Sequence, residues 1–260
     1  MDLRLSGKTA LVTGSTAGIG LAIAERLAEE GVDVTIAGRS QDKLDAAVKR
    51  IGEKGAVRAV LADPATAAGA EQLLAAVPDT DILVNNLGIY EAKPFAEITD
   101  ADWHHLFEVN VVSGARLARH YFPRMLQRNW GRIIFISSES SLVIPEEMIH
   151  YGMTKTAQLA IARGLAAQTK GTGVTVNSVM PGPTRSEGIV DFVKSVLPDA
   201  GSEEEAEELF FEKMRPLSLI RRFIEADEIG ATVAFLASPL AAATNGAAIR
   251  AEGGIVPTIA

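Results

Sequence analysis

Apolar, β-branched runs alternate with helix-patterned stretches from one end of this chain to the other, and no other feature restricts its fold as strongly. Runs of that kind are strands buried on both faces, which occur where helices cover a parallel sheet. The pattern predicts strands at Thr9–Thr13, Asp33–Ala37, Val57–Leu61, Ile82–Asn85, Arg132–Ser137, Val174–Ser178 and Ala248–Arg250. It predicts helices near Ile19–Glu30, Gln41–Lys54, Ala65–Ala76, Asp100–Asn129, Tyr151–Thr169 and Ala226–Ala237. Joined by right-handed crossovers, these make an α/β fold, a Rossmann-like, doubly wound, seven-stranded parallel sheet with helices on both faces. The 260 residues, 47% of them hydrophobic, contain no repeat, low-complexity tract or linker, so one domain over 1–260 is expected.

Several function classes fall away at once. No apolar run approaches the roughly eighteen residues of a membrane span. Met1–Lys8 lacks the apolar core of a signal peptide and leads straight into the first strand. The chain has no cysteine, which removes disulfides and thiolate metal sites and fits a reducing, cytoplasmic setting. A net charge of −8 argues against nucleic acid and anionic membranes as partners, so an anionic ligand must be held by local features. His104, His105 and His120, with Trp103 and Trp130, show no metal-ligand spacing, and no metal is expected.

One segment breaks the alternation. Between Pro183 and Phe223 the chain runs long, with an acidic stretch, Glu203–Glu205, and apolar residues Phe192, Val196, Leu209, Phe210, Phe211 and Met214. Long excursions at the carboxyl edge of a sheet are often lids, and a substrate lid at about 183–223 is expected; the alternative is a helical pair that thickens the core.

Thr13-Gly14-Ser15-Thr16-Ala17-Gly18-Ile19-Gly20 follows the first strand and opens the first helix. Glycines there let the backbone approach a pyrophosphate, and the helix start offers free N–H groups and a partial positive charge. The spacing is G-x-x-x-G-x-G rather than G-x-G-x-x-G, and a plain tight turn is the competing reading. At the end of the second strand, where an NAD site places a carboxylate on the ribose, the chain has Ala37-Gly38-Arg39-Ser40. Arg39 can grip a 2′-phosphate with its guanidinium fork, so NADP(H) is expected over NAD(H), unless Arg39 is simply a solvated surface residue. Asp63 can accept from the adenine amino group or cap the helix beyond Pro64. Asn86 and Gly88 end the fourth strand, where bare backbone can lie against the ribose.

Tyr151 and Lys155 lie four residues apart, hence on one helix face. A phenol titrates near pH 10, and a neighbouring ammonium together with a cationic nicotinamide favours the phenolate, the tuning a general acid/base needs. Ser138 arrives at the carboxyl edge on a different strand, where its hydroxyl can donate to a developing alkoxide; Ser137, Ser140 and Ser141 compete for that role. Asn110 sits in a helical stretch that suits asparagine poorly, either holding a water that relays protons to Lys155 or packing as a buried amide. Glu139, Glu146 and Glu147 either flank the pocket and disfavour anionic substrates or are solvated loop charges.

Together, Thr13–Gly20, Asn85–Gly88, Asn110, Ser138, Tyr151, Lys155, Pro181-Gly182 and the closing Glu252-Gly253-Gly254 resemble the short-chain dehydrogenase/reductase family over nearly the whole chain. The resemblance implies an Asn110–Ser138–Tyr151–Lys155 tetrad and pro-S hydride delivery from a nicotinamide. It also implies a homotetramer built through the helices Asp100–Asn129 and Tyr151–Thr169. Further cofactor contacts are implied at Pro181, Gly182, Thr184 and Ser186. The chain departs from the family pattern at Leu87, which replaces an alanine, and at Ser186, which stands where a threonine often binds the nicotinamide amide. Among members it resembles those named 3-oxoacyl-carrier-protein reductases. The expected activity is reversible interconversion of a ketone and a secondary alcohol. A non-catalytic NADP(H)-binding regulator, or an epimerase or dehydratase without net redox change, are the alternatives.

Overall fold

The computed structural model describes residues 1–197 and 202–259. Its strands are β1 (Thr9–Val12), β2 (Asp33–Gly38), β3 (Val57–Leu61), β4 (Ile82–Asn85), β5 (Gly131–Ile136), β6 (Val174–Pro181) and β7 (Ala248–Ala251). They form one parallel sheet in the order β3-β2-β1-β4-β5-β6-β7. Neighbouring side chains on a strand point to opposite faces, so each central strand feeds two cores. Ala10, Val12, Ile82, Val84, Ile134 and Ile136 face one core, which is completed by Leu27 of α1 (Gly18–Glu29), Leu44 of α2 (Gln41–Gly52) and Val233 of α9 (Ala226–Ala237). Leu11, Leu83, Ile133 and Phe135 face the other, with Leu73 of α3 (Ala67–Ala76), Tyr121 of α5 (Ser113–Gln127) and Ala162 of α6 (Ile149–Ala166). Both faces are thus covered, which is why β4 and most of β5 are apolar.

Element ends shift by one to three residues at many positions, and three differences stand out. α3 begins at Ala67 because the Thr66 hydroxyl accepts the Gly69 N–H at 3.0 Å; Asp63 instead takes the Ala65 N–H at 3.1 Å in a preceding turn. β6 runs on to Pro181, paired with Ala251 of β7. The stretch expected as a single helix over Asp100–Asn129 is α4 (Asp100–Phe107), a π-helical turn (Glu108–Val112) and then α5. That wider turn contains Asn110, and such turns recur at functional sites.

Within 183–223 the described residues form two helices, α7 (Glu187–Val196) and α8 (Glu203–Lys213). Phe192 and Val193 of α7, Phe210 and Phe211 of α8, Phe223 and Met148 bury one another in a third apolar cluster, with Tyr151 packed at its edge. Among the described residues, no helix is long and apolar enough to cross a membrane.

Candidate active site

Because the sheet is parallel, the carboxyl ends of β1, β4, β5 and β6 open onto one edge. β1 and β4 are neighbours there, at the point where successive strands switch from adding on one side to adding on the other. Ligands of open α/β sheets bind in the crevice at such a switch.

The glycine turn sits at this edge and is held from β4. Asn86 Nδ2 donates to the carbonyls of Thr13 and Gly14, both at 3.0 Å, while Thr13 Oγ1 accepts the Asn86 and Leu87 N–H groups, both at 3.1 Å. Ser15 turns its hydroxyl inward to the Val12 carbonyl at 2.7 Å. Ser15 and Asn86 therefore shape the turn through side chains that point into the protein. Gly14 (φ 60°) and Gly18 (φ 53°) are left-handed, and a Cβ on Gly20 would overlap the Gly14 carbonyl oxygen and Asn86 Nδ2. α1 has neither a side-chain cap nor an acidic residue in its first turn, whereas hydroxyls of Ser40, Thr66, Ser186 and Ser202 cap α2, α3, α7 and α8. Its leading N–H groups are left for an anion.

Arg39, just beyond β2, is exposed and makes no hydrogen bond or ion pair to any described residue. Thr16 and Ile19 flank the turn, and Ile19 reaches the cleft. Gly88 lies close to Lys155: a Cβ there would stand 3.3 Å from Nζ.

Tyr151, Lys155 and Ser138 converge from α6 and the end of β5. Ser138 Oγ is within hydrogen-bonding reach of the Tyr151 phenol, donates to the Glu139 carboxylate in a short bond, and accepts the Ser140 N–H at 3.1 Å. Ser137 and Ser141 spend their hydroxyls on the carbonyls of Lys155 and Ser138. Lys155 Nζ lies 5.6 Å from the Tyr151 ring centroid and donates to the Ile136 carbonyl at 2.9 Å and to Gln158 Oε1 at 3.4 Å.

This arrangement corrects one expectation. Glu139, rather than Lys155, is the charge that bears most on the phenol. Burial pushes the Tyr151 phenol well above its ordinary value, the Glu139 charge adds to the rise, and the Ser138 hydrogen bond and Arg215 only partly oppose it. Burial likewise pulls the Lys155 ammonium down to about 8, with Glu139 opposing.

Asn110 also differs from its expected relay role. Its side-chain oxygen accepts the Ile89 N–H at 2.8 Å, and its NH2 donates to the Ile89 carbonyl and to Thr154 Oγ1. Its main-chain carbonyl accepts from Gln158 Nε2 at 2.6 Å. Asn110 thus fastens the post-β4 loop to α6, and the link from Asn110 to Lys155 runs through the Gln158 amide. Gln158 was not anticipated, although its position three residues after Lys155 on the same helix face made it legible.

Pro181 and Gly182 border the cleft at the end of β6. Thr184 donates to the Gly182 carbonyl at 2.9 Å, and Ser186 caps α7 through the Ile189 N–H at 3.3 Å. The cleft encloses about 140 Å³ between these residues, Tyr151 and the α7–α8 cluster. Tyr90, edge-on to both Tyr151 and Phe192, forms one wall. Glu139 and Arg215, 5% and 7% exposed, form another: Arg215 Nε donates to Glu139 at 3.0 Å and Nη1 to Glu147 at 3.2 Å. Of the three acids only Glu139 lines the pocket; Glu147 pairs with Arg215 behind it, and Glu146 is exposed. Arg215 is 76 residues from Glu139 in sequence and carried no local signal. The sequence also gave no sign of Tyr90. The other histidines stay outside the site: His104 and His105 are exposed, and His120 meets the Pro78 carbonyl. Among the described residues no cluster could hold a metal ion.

The sequence model of the family described as short chain dehydrogenase matches residues 8–194. An uncharacterized oxidoreductase of Bacillus subtilis, YvaG, is 48% identical over 264 residues, covering 100% of this chain and 100% of its own. The 3-oxoacyl-acyl-carrier-protein reductase FabG of Aquifex aeolicus is 32% identical over 261 residues, covering 98% of this chain and 100% of its own. Among solved structures, L-sorbose reductase from Gluconobacter frateurii, complexed with NADPH and L-sorbose, matches with a TM-score of 0.91 at 30% identity, covering 100% of both chains.

Proposed function

Because this chain belongs to the short chain dehydrogenase family and is an oxidoreductase, we propose that it exchanges a hydride between NADP(H) and a ketone or secondary alcohol. The observation that carries this reading is the meeting of Tyr151, Ser138 and Lys155 at the sheet edge that also holds the glycine turn. The residues present fit a dinucleotide. Gly14 and Gly18 take left-handed backbone and Gly20 has no room for a Cβ, so the turn packs as bare backbone, and the uncapped start of α1 suits a pyrophosphate. Arg39 is free to pair with a 2′-phosphate, Asp63 keeps carboxylate capacity for the adenine, and Thr184 and Ser186 border the nicotinamide end. The NADPH in the L-sorbose reductase complex supports the same cofactor.

The chain's own residues then divide the work. The Ser138 hydroxyl turns from Glu139 to the carbonyl oxygen and donates to it as negative charge develops, and Tyr151 gives that oxygen a proton. A phenol held above its ordinary value stays protonated at neutral pH, which suits donation and therefore reduction. Lys155, buried beside the bare backbone of Gly88, orients the ribose side, and Asn110 with Gln158 fixes α6 against the loop that follows β4. The described helices α7 and α8, with the turn that follows α8, act as the lid: they supply Phe192, Phe210 and Arg215 to the cleft and exclude water. Association into a homotetramer through α4, α5 and α6 completes the reading, supported by Phe107, which is 40% exposed on α4.

Loss of reduced-nicotinamide absorbance over a panel of ketones, aldehydes and acyl thioesters tests this function. We expect turnover with NADPH at least about tenfold more efficient than with NADH, and Arg39→Leu should erase that preference, since a charge-assisted bond contributes roughly ten- to hundredfold. NADPH binding without turnover of any substrate would favour the non-catalytic alternative. Equal efficiency with NADH would contradict the NADP(H) reading. Light scattering gives the assembly state.

A further inference from the structure

The cleft has a charged wall that packing alone does not explain. Glu139 and Arg215 are both more than nine-tenths buried, and Arg215 is also stacked on Phe210, its guanidinium carbon 5.5 Å from the ring centroid. Removing a carboxylate and a guanidinium from water carries a desolvation penalty that their pairing does not reliably repay, so a buried pair is poor evidence of a purely stabilising role. Both groups line the cleft beside Ser138 and Tyr151, and both keep unused capacity toward it. A carboxylate offers about four lone-pair sites. Ser138 Oγ takes one on Oε2 and Arg215 Nε one on Oε1. Arg215 spends Nη1 on Glu147 and on the Met214 carbonyl at 2.7 Å, while Nη2 makes no hydrogen bond among the described residues. Glu139 thus keeps acceptor capacity and Arg215 donor capacity in the wall that adjoins Ser138.

We infer that this wall selects an uncharged ketone bearing a hydroxyl on the carbon next to the carbonyl, a polyhydroxy ketone or its reduced vicinal diol. A hydroxyl is both donor and acceptor, so it can give its proton to Glu139 while accepting from Arg215 Nη2. Its place one carbon from the reacting centre matches the step from Ser138 to Glu139. A carboxylate at the same place would meet Glu139, while the one guanidinium is already shared between Glu139 and Glu147. This inference rests on the ketone-reductase reading above and names its substrate class.

Hydroxyacetone, methoxyacetone, acetone and pyruvate make the test, each with NADPH and the purified full-length enzyme. Methoxyacetone matches the electron withdrawal of hydroxyacetone but cannot donate a hydrogen bond. We expect kcat/KM to be at least about tenfold higher for hydroxyacetone than for methoxyacetone or acetone, and lowest for pyruvate. Binding gives a second readout without turnover: in calorimetry against the NADPH-bound enzyme, propylene glycol should bind at least about tenfold tighter than isopropanol. Glu139→Gln should cut both ratios below about threefold. Arg215→Lys, which keeps the positive charge beside Glu139 but loses Nη2, should reduce them as well. The wild-type ratios alone suffice if a variant does not fold. Hydroxyacetone no better than methoxyacetone, a preference for pyruvate, or ratios unchanged in Glu139→Gln would overturn the inference while leaving ketone reduction standing. No turnover of any ketone by enzyme that binds NADPH would remove the underlying reading, and this inference with it.

Discussion

Lys155→Met should separate stability from function and show how heavily the fold is taxed by this ammonium. Lys155 is 4% exposed, and burial lowers it from 10.5 to about 8. At about 1.36 kcal/mol per pH unit, that fall corresponds to roughly 3 kcal/mol against the charged, folded state. Below pH 8 both the folded and unfolded chains carry the proton, so the full penalty is present at neutral pH. Between about 8 and 10.5 the unfolded chain holds the proton and the folded chain does not, so wild-type stability rises with pH across this window. Methionine removes the charge at similar volume, but it leaves the Ile136 carbonyl and the Gln158 amide oxygen without their donor. Each unpaired buried group costs about 1–3 kcal/mol, so the two together offset most or all of the gain at pH 7. The pH dependence is the sharper quantity. Urea unfolding of both proteins in steps from pH 7 to pH 10 should show the variant-minus-wild-type difference falling by an amount on the order of 3 kcal/mol, because other titrating groups are common to both. A flat difference would mean that Lys155 keeps an ordinary ammonium in the fold, and the electrostatic account of the cleft would be wrong.

Other perturbations probe the remaining parts of the site. Gly20→Ala puts a methyl against the Gly14 carbonyl oxygen and Asn86 Nδ2, so NADPH affinity measured by nicotinamide fluorescence should fall at least about tenfold, with about 1–3 kcal/mol of stability lost. An unchanged affinity would show that the turn does not touch the nucleotide. Glu139→Gln removes a charge that raises the Tyr151 phenol, so the rising limb of alcohol oxidation with NADP+ should move to lower pH in a kcat/KM profile; an unmoved limb would separate Glu139 from Tyr151. Gln158→Leu strands the Asn110 carbonyl and should cost about 1–3 kcal/mol in urea unfolding while lowering kcat with little change in NADPH affinity. Full kcat in that variant would make Gln158 a packing residue only.

The sheet was readable because burial on both faces forces the apolar runs that mark it, and Ile133–Ile136 shows this well, with alternate residues feeding two different cores. Helix starts were less readable, since Thr66 rather than Asp63 caps α3 and only the side-chain bond to Gly69 decides between them. The π-helical turn at Asn110 left no periodic trace; it follows from contacts to Ile89 and Thr154 that form only in the folded chain. Tyr151, Lys155 and Ser138 could be picked out because helix geometry and strand polarity fix where they fall. Their electrostatics could not. Spacing put Lys155 beside the phenol, yet the fold aims Nζ at the Ile136 carbonyl and makes Glu139 the charge that Tyr151 feels first after burial. Arg215 lies too far along the chain to be paired with Glu139 without the fold.

Tyr151→Phe provides the most direct examination of the central claim, that the Tyr151 phenol passes a proton at the same edge that holds the dinucleotide. NADPH affinity and turnover of the best ketone substrate should be measured on the same preparation. The account predicts an NADPH dissociation constant within about threefold of wild type and a kcat reduced by at least about a hundredfold, within the range a positioned general acid contributes. A variant that reduces the ketone at near wild-type rate would contradict it.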